Sequence, residues 1–408
     1  MEKIRMGVIG LGNRGRALTN CVILPARDVD ITAVCDVYDD RVDAAAAEIK
    51  DKKGKEPFRT CSAGELLART DVDAVLISCA WEDHIPLAVE AMKAGKAVAL
   101  EVGGAYSIED CFELVRTCEE TRTPFMFMEN CCFDRYELLA TAMARHGLFG
   151  RVVHCEGAYS HDLREEVGYG DINRHYRLRN YINRNLENYP THDLGPIAKL
   201  LGINRGNRMT GLVCGSTGSF GLHEYVCEKP ELTYLKEVKF AQGDIFHTII
   251  TCENGETVLL RLDTTLPRFY TRNFTVRGTK GLYEMNTNSV FFDYMDGEKY
   301  WEPIDTYREI IDNAREYEEK YLPEMWKKVT PEQLKAGHGG MDWFEFDAFF
   351  TALREGGEMP VDVYDAAAWM AISCLSEQSI KNNGSYVEIP DFTRGKYKTR
   401  PLKDVTAL

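Results

Sequence analysis

In the first third of the chain, short apolar runs alternate with stretches of helical periodicity. Strands are predicted at Ile4–Ile9, Val29–Cys35, Val72–Cys79, Lys96–Glu101 and Pro124–Glu129. The helices predicted between them are Arg14–Leu24, Asp39–Lys50, His84–Ala94 and Ser107–Thr121. Apolar strands separated by helices are typical of a parallel sheet covered on both faces. The pattern therefore predicts an α/β fold that begins with a doubly wound parallel sheet.

Beyond residue 130 the pattern changes. A helix at Arg135–His146 and a strand at Arg151–Tyr159 precede a polar segment, Ser160–His192, which is expected to be irregular because it has few apolar anchors. A short helix is predicted at Gly195–Leu201, and Asn254-Gly255 has the residue types of a hairpin turn. The later strands are predicted at Met209–Cys214, Ile245–Cys252, Thr257–Asp263, Asn273–Arg277 and Leu282–Asn286.

Helical periodicity returns near the C-terminus, at Met341–Arg354 and Asp362–Asn382. We therefore expect two domains, with residues 1–129 forming the parallel-sheet domain. Residues 130–408 are expected to form an α+β domain with a large, mainly antiparallel sheet, whose C-terminal helices pack back toward the first domain.

A glycine-rich turn follows the first predicted strand. Gly10, Gly12 and Gly15 form a GxGxxG pattern that also contains Asn13 and Arg14. Such a turn between strand and helix lets a pyrophosphate approach the backbone at the helix N-terminus. Asp36 ends the next strand about 20 residues further on, where a carboxylate binds a ribose hydroxyl. Together these features predict a dinucleotide site, and Asp36 favours NAD over NADP.

Further polar side chains follow the later strands of the predicted sheet. Trp81 and His84 follow one strand, Glu101 ends the next, and Glu129-Asn130 end the last. Ligands of doubly wound sheets bind at the carboxyl ends of the strands. We therefore expect these residues to belong to the same site.

Composition narrows the classes of partner. The 408 residues carry 49 Lys and Arg against 64 Asp and Glu, a net charge of −15, which disfavours nucleic acid and anionic membranes as partners. The 13 cysteines are scattered and lack metal spacing, so reduced thiols and a cytoplasmic protein are expected. No His, Asp or Glu set has the spacing of a metal site, and no metal is predicted.

The fingerprint, the strand end at Glu101 and the following α+β region resemble the glucose–fructose oxidoreductase, inositol dehydrogenase and MocA superfamily. Its dehydrogenases usually have Glu-Lys-Pro where this chain has Glu101-Val102-Gly103. A narrower resemblance, to the NAD-dependent glycosidases of glycoside hydrolase family 109, spans nearly the whole chain. The motifs that carry it are Trp81-Glu82-Asp83-His84, Glu101-Val102, Glu129-Asn130-Cys131-Cys132, Gly157–Arg164, Tyr189-Pro190-Thr191-His192 and His338–Asp342.

This resemblance implies hydrolysis of an N-acetylgalactosaminide or a related glycoside through tightly bound, recycled NAD. Oxidation at C3 of the sugar acidifies C2–H, a base removes that proton, the C1 group is eliminated, water adds and C3 is reduced again. It implies substrate contacts at Tyr159, Arg177, Tyr189 and Tyr270. It implies cofactor contacts at Gly10, Gly12, Asn13, Arg14, Gly15, Asp36, Trp81, His84, Glu101, Val102, Asn130, Tyr189 and His192.

Within this reaction we expect His192 to be the acid and base at C3, because imidazole titrates near neutrality. Tyr159 is the expected base at C2, with Glu129 as the alternative. Two other functions stay open at this point: an NAD-dependent sugar dehydrogenase, which the missing lysine after Glu101 disfavours, and a nucleotide-binding sugar sensor. The superfamily also implies a homo-oligomer that pairs through the sheet of the second domain.

Overall fold

The computed structural model describes residues 3–295 and 308–408. Its contacts divide the chain into two compact units: Met1–Asn130 with Val329–Ala371, and Cys131–Lys328 with Ile372–Leu408. The segment Val329–Ala371 belongs to the first unit because it bonds to that unit's backbone. The amide of Phe127 donates to the carbonyl of Val361 (3.0 Å). The predicted domain boundary between residues 129 and 130 stays a prediction.

The first unit contains a six-stranded parallel sheet with the order β3-β2-β1-β4-β5-β6. Each of its pairs is parallel, which confirms the predicted doubly wound sheet. The short edge strand β3 is absent from the predicted strands, since three residues carry too little periodicity to be recognised. The strands are β1 (Ile4–Ile9), β2 (Val29–Cys35), β3 (Phe58–Thr60), β4 (Ala74–Ile77), β5 (Ala97–Glu101) and β6 (Phe125–Met128).

The four helices predicted before residue 130 follow the strands of the first unit as expected, and a further short helix at Ala63–Leu67 was not predicted. Ser107 caps one of them, because its hydroxyl accepts the amide hydrogen of Asp110 (3.1 Å). The helices are α1 (Asn13–Leu18, continued by a π-helical turn at Thr19–Ile23), α2 (Asp39–Lys53), α3 (Ala63–Leu67), α4 (Trp81–Lys93) and α5 (Ile108–Thr121).

The second unit is built on an eight-stranded sheet with the order β13-β12-β11-β7-β10-β9-β8-β14. Among the described strands of this sheet, only β7 and β10 pair in parallel, which confirms a mainly antiparallel sheet. The strands are β7 (Val152–Ser160), β8 (Met209–Ser216), β9 (Ile245–Cys252), β10 (Thr257–Asp263), β11 (Thr275–Gly278), β12 (Gly281–Glu284), β13 (Ser289–Phe292) and β14 (Val387–Glu388).

The segment Ser160–His192 was expected to be irregular, and this expectation is wrong. It contains α7 (Arg164–Gly168), α8 (Arg177–Asn183) and the start of α9 (Thr191–Leu200), which follow α6 (Arg135–Arg145). The few apolar anchors are placed at helical spacing. Leu178 and Tyr181 lie three residues apart and are both buried.

The remaining described helices are four short ones and two long ones. The short ones are α10 (Gly221–Cys227), α11 (Glu318–Tyr321), α12 (Glu324–Lys327) and α13 (Pro331–Leu334), and the long ones are α14 (Met341–Glu355) and α15 (Val363–Lys381). Turns of 3-10 helix lie at Asn130–Phe133, Pro230–Leu235, Asn313–Tyr317, His338–Gly340 and Lys396–Lys398. None of the helices in the described ranges is long and apolar enough to cross a membrane.

Candidate active site

The turn after β1 has the geometry of a phosphate cradle. Gly10 has a φ of +94°, and a Cβ at this position would lie 2.6 Å from the carbonyl oxygen of Ser78. A Cβ on Gly12 would meet nothing nearer than Nη1 of Arg41, at 3.7 Å. The backbone of the turn therefore packs tightly against the parallel sheet at Gly10. At Gly12 it is open, so a pyrophosphate can approach the backbone there. The residues fit NAD.

Asp36 lies beside this turn and is buried. Its Oδ2 accepts the amide hydrogen of Leu11 (2.7 Å) and its Oδ1 accepts that of Tyr38 (3.0 Å). These two bonds fix the carboxylate at the end of β2, next to the glycine turn. This is the place from which an acid binds a ribose hydroxyl.

Trp81 and His84 lie in the first turn of α4, and both are buried. Nε2 of His84 lies 3.2 Å from the carbonyl oxygen of Cys79. Burial lowers the pKa of His84 to about 4, so its imidazole is neutral at physiological pH. A Cβ on Gly103 would lie 2.5 Å from Cδ1 of Trp81, so the absence of a side chain after Val102 is what lets the indole lie there.

Arg14 extends from the glycine turn into a network of carboxylates. Its Nε donates to Oε1 of Glu101 (3.0 Å), and its Nη1 donates to Oδ2 of Asp342 (2.7 Å). Asn130 donates to the same carboxylate (2.7 Å), and Nδ1 of His338 lies 3.0 Å from it. The guanidinium is thus held by protein groups, and it connects the fingerprint to the ends of β5 and β6.

The charges of this network reinforce one another. Burial acts to raise the pKa of Asp342, but the charges and hydrogen bonds of Arg14 and His338 together outweigh it and hold that pKa well below its usual range. Burial also acts to lower the pKa of Arg14, and Glu101 and Asp342 together raise it well above its usual value. Glu129 and Val102, also predicted for this site, are buried at neighbouring strand ends of the same unit.

In the second unit, the predicted substrate residues form one cluster at the end of β7. The ring centroid of Tyr159 lies 4.5 Å from that of Tyr189, 5.6 Å from that of His192 and 6.4 Å from that of Tyr270. The hydroxyl of Tyr189 lies 3.4 Å from Nε2 of His192. Tyr189 and His192 meet because they are three residues apart where the chain turns into α9.

Arg177 begins α8 and brings a positive charge to the Tyr189 side of this cluster. Its Cζ lies 5.1 Å from the centre of the Tyr189 ring, and its Nε lies 3.1 Å from Oε1 of Glu166. Burial raises the pKa of Tyr159, while the charge of Arg177 acts in the opposite direction. The phenol of Tyr159 is therefore neutral at rest, and Arg177 is the group that favours its ionisation.

Sequence reasoning missed some members of both groups. The imidazole Nδ1 of His161 lies 3.3 Å from the hydroxyl of Tyr159, and its ring centroid lies 5.2 Å from that of Tyr270. Strand alternation could have found His161, since residues 159 and 161 of β7 and its extension share a face. Glu166 and Asp342 gave no such local signal, because their partners are distant in sequence or lie on another element.

Two family models match the chain. Residues 4–128 match the model described as the oxidoreductase family, NAD-binding Rossmann fold. Residues 133–399 match the model of the C-terminal domain of glycosyl hydrolase 109. Together with the glycine cradle, the first match identifies NAD as the cofactor.

Two relatives extend over almost the full length. A glycosyl hydrolase family 109 protein of Stenotrophomonas maltophilia is 38% identical, covering 98% of this chain and 91% of the relative. An alpha-N-acetylgalactosaminidase of Tannerella forsythia is 36% identical, covering 97% of this chain and 87% of the relative.

Solved structures share the fold at low identity. An oxidoreductase of Agrobacterium radiobacter in complex with NAD⁺, L-tartaric acid and magnesium superposes with a TM-score of 0.66 at 18% identity, covering 95% of this chain and 98% of that chain. An apo scyllo-inositol dehydrogenase of Lactobacillus casei gives 0.64 at 15% identity, covering 95% and 98%. These likenesses establish the fold alone. The family model and the full-length relatives go further: this chain belongs to glycosyl hydrolase family 109 and is an NAD-dependent glycosidase.

Proposed function

We propose that this enzyme hydrolyses α-N-acetylgalactosaminides or closely related glycosides. The observation that carries the proposal is the cluster of Tyr159, Tyr189, His192 and Tyr270, with Arg177 against it. Aromatic walls with a few placed polar groups are typical of sites for small organic ligands. The similarity to the alpha-N-acetylgalactosaminidase of Tannerella forsythia supports the choice of sugar.

The first proton transfer is assigned to His192. Bound NAD⁺ supplies the reversible two-electron oxidation of the C3 carbinol. His192 accepts the proton of the C3 hydroxyl and returns it when C3 is reduced again, so the same imidazole is base and then acid. The hydroxyl of Tyr189, 3.4 Å from Nε2, orients the ring for both steps.

The second proton, on C2, is assigned to Tyr159. The phenol is neutral at rest, and Arg177 favours the phenolate that accepts this proton. Nδ1 of His161, 3.3 Å from the phenolic oxygen, is placed to exchange the proton with Tyr159. Glu129, buried in the first unit, stays the alternative base. Loss of the C2 proton leads to departure of the C1 group with the bonding electron pair, after which water adds at C1.

The test is an assay of purified holoenzyme on nitrophenyl glycosides of several sugars and both anomers, with no cofactor added. We expect nitrophenol release from the α-N-acetylgalactosaminide, no net change in NADH, and deuterium at C2 of the product in deuterated water. Stoichiometric NADH without nitrophenol would contradict the proposal and indicate a dehydrogenase. Release without deuterium at C2 would contradict the elimination route and indicate direct displacement.

We further propose that two copies pair through the sheet of the second unit. Alternate residues of β9 leave one face of this sheet exposed, and Ile249 on that face is 46% exposed in the single chain. Pairing would bury this face. Sedimentation equilibrium should give a dimer for the native protein and a monomer for Ile249→Asp, and a monomeric native protein would overturn the proposal.

A further inference from the structure

The proposed mechanism gives no role to one buried carboxyl group of the first unit. Glu345 lies on α14, three residues after Asp342, and is fully buried. Neither of its carboxyl oxygens has a hydrogen-bond partner among the described residues. A buried carboxylate without partners is costly, so this group requires an explanation.

The charged groups around Glu345 come from four elements. They are Glu101 at the end of β5, Glu129 after β6, Asp342 on α14 itself and Arg14 at the start of α1. Arg14 is bonded to Glu101 and Asp342, and His338 lies against Asp342. Glu345 thus interacts with three other carboxyl groups and with a single guanidinium group, that of Arg14. Burial raises the pKa of Glu345 well above its usual value, the carboxyl groups raise it further, and Arg14 opposes them.

The nicotinamide end of the cofactor is expected at the same strand ends as these carboxyl groups. Asp36, at the end of β2, marks the half of the crevice that holds the adenosine ribose. A dinucleotide extends from there across the glycine turn to the other half, over the ends of β4, β5 and β6. Glu101 and Glu129 lie at those ends. The nicotinamide ring carries a positive charge when oxidised and none when reduced, and a nearby positive charge favours the ionised form of a carboxyl group.

We propose that Glu345 sets the redox preference of the bound cofactor by ionising beside the oxidised ring and taking up a proton from solvent when the ring is reduced. The inference rests on NAD binding and is independent of which glycoside is hydrolysed. Reduction of NAD⁺ takes two electrons and one proton, and Glu345 adds a second proton to that balance. As pH rises, the ionised Glu345 increasingly favours the oxidised ring and lowers the midpoint potential.

The test measures the midpoint potential of the cofactor in sugar-free holoenzyme, using a redox dye of known potential and the absorbance of the reduced ring. One proton per two electrons gives a slope of about 30 mV per pH unit, and two protons give about 59 mV. We expect the native enzyme to show the steeper slope within part of the range between pH 5.5 and 9. Glu345→Gln should give the shallower slope throughout and a higher potential at alkaline pH.

Glu355→Gln is the matched control, because Glu355 is on the same helix, is exposed and loses the same charge by the same substitution. It should keep the native slope. Glu345→Met provides a second neutral variant with a different side chain. A native slope of about 30 mV at every pH, or a Glu345→Gln slope equal to the native one, would overturn the proposal. Because no sugar is present, neither result depends on the glycosidase assay.

Discussion

Nη1 of Arg14 donates a hydrogen bond to Oδ2 of Asp342 at 2.7 Å, across 328 residues of sequence. We expect Asp342→Asn to lower the free energy of unfolding by about 1.5–3 kcal/mol, the usual worth of a hydrogen bond to a charged group. The variant should also lose NAD more readily on gel filtration, because Arg14 loses one of its two carboxylate partners and is held less firmly beside the glycine turn. Asp71→Asn, which removes a half-buried partner of Arg69, should cost less than about 1 kcal/mol. Equal losses in both variants would contradict a special role for Asp342.

The two proton transfers can be separated by mutation. We expect Tyr159→Phe to abolish deuterium exchange at C2 while leaving reduction of the bound cofactor by substrate measurable. His192→Ala should suppress that reduction itself, since the C3 hydroxyl keeps its proton. Each loss should be about 10²–10⁴-fold, the usual contribution of a general acid or base. Full exchange in Tyr159→Phe would remove Tyr159 as the base and favour Glu129, which Glu129→Gln then tests.

Arg177 should control the pH at which Tyr159 works. Because its charge lowers the pKa of a phenol that burial raises, Arg177→Met should move the rise of C2 exchange to higher pH. Arg177→Lys keeps a positive charge and should restore part of the profile. The measurement is the rate of C2 deuterium exchange against pH. An unshifted profile in Arg177→Met, with a raised KM, would show that Arg177 only binds the sugar.

Glu187 should make stability depend on pH. Burial raises its pKa to about 8 in the folded protein, against about 4.3 for an unperturbed glutamate. The folded state favours the neutral acid. The contribution of Glu187 to the free energy of unfolding is therefore fully present below about pH 4.3 and is lost as pH rises toward 8. We expect Glu187→Gln to gain stability over the native protein across this window, by at most about 1.4 kcal/mol per pH unit.

Denaturant unfolding at several pH values measures this difference. Glu237→Gln changes the same charge at an exposed position of the same unit and should follow the native curve. A constant offset between Glu187→Gln and the native protein at every pH would exclude titration of Glu187 as the cause.

Gly103 should be intolerant of a side chain. Its Cβ would lie 2.5 Å from Cδ1 of Trp81, so Gly103→Ala must displace the indole and should cost about 1–3 kcal/mol. A changed tryptophan emission should accompany the loss. Gly64→Ala, where the nearest atom lies at 3.8 Å within α3, should be neutral or stabilising. An unchanged stability of Gly103→Ala would show that the strand end can relax around the new methyl group.

Much of the fold could be read from local pattern. The strands Ile4–Ile9, Val29–Cys35, Ile245–Cys252 and Thr257–Asp263 begin and end where predicted, because apolar alternation or a continuous apolar run marks a buried strand. The helices between Ser160 and His192 were missed, since helices of 5 and 7 residues with few apolar anchors carry little periodicity. Edge strands such as β3 and β14 were missed for the same reason.

The candidate site was predictable to a similar extent. The glycine turn, Asp36 and the polar strand ends were visible because local sequence sets both the turn and the ends of strands. Tyr159, Tyr189, His192 and Tyr270 came from resemblance, and the structure places them in one cluster. Their catalytic and binding roles stay predictions.

The sequence by itself determined the class of the protein, because period, turn chemistry and motif spacing are local properties of the chain. Only the tertiary structure decided which charges meet. It pairs Arg14 with Asp342 and Arg177 with Glu166. It also places the carboxyl group of Glu345 close enough to Glu101 for their charges to interact. The physical reason is that a pKa depends on burial and on charges within a few ångströms, and residues that are far apart in the chain supply both.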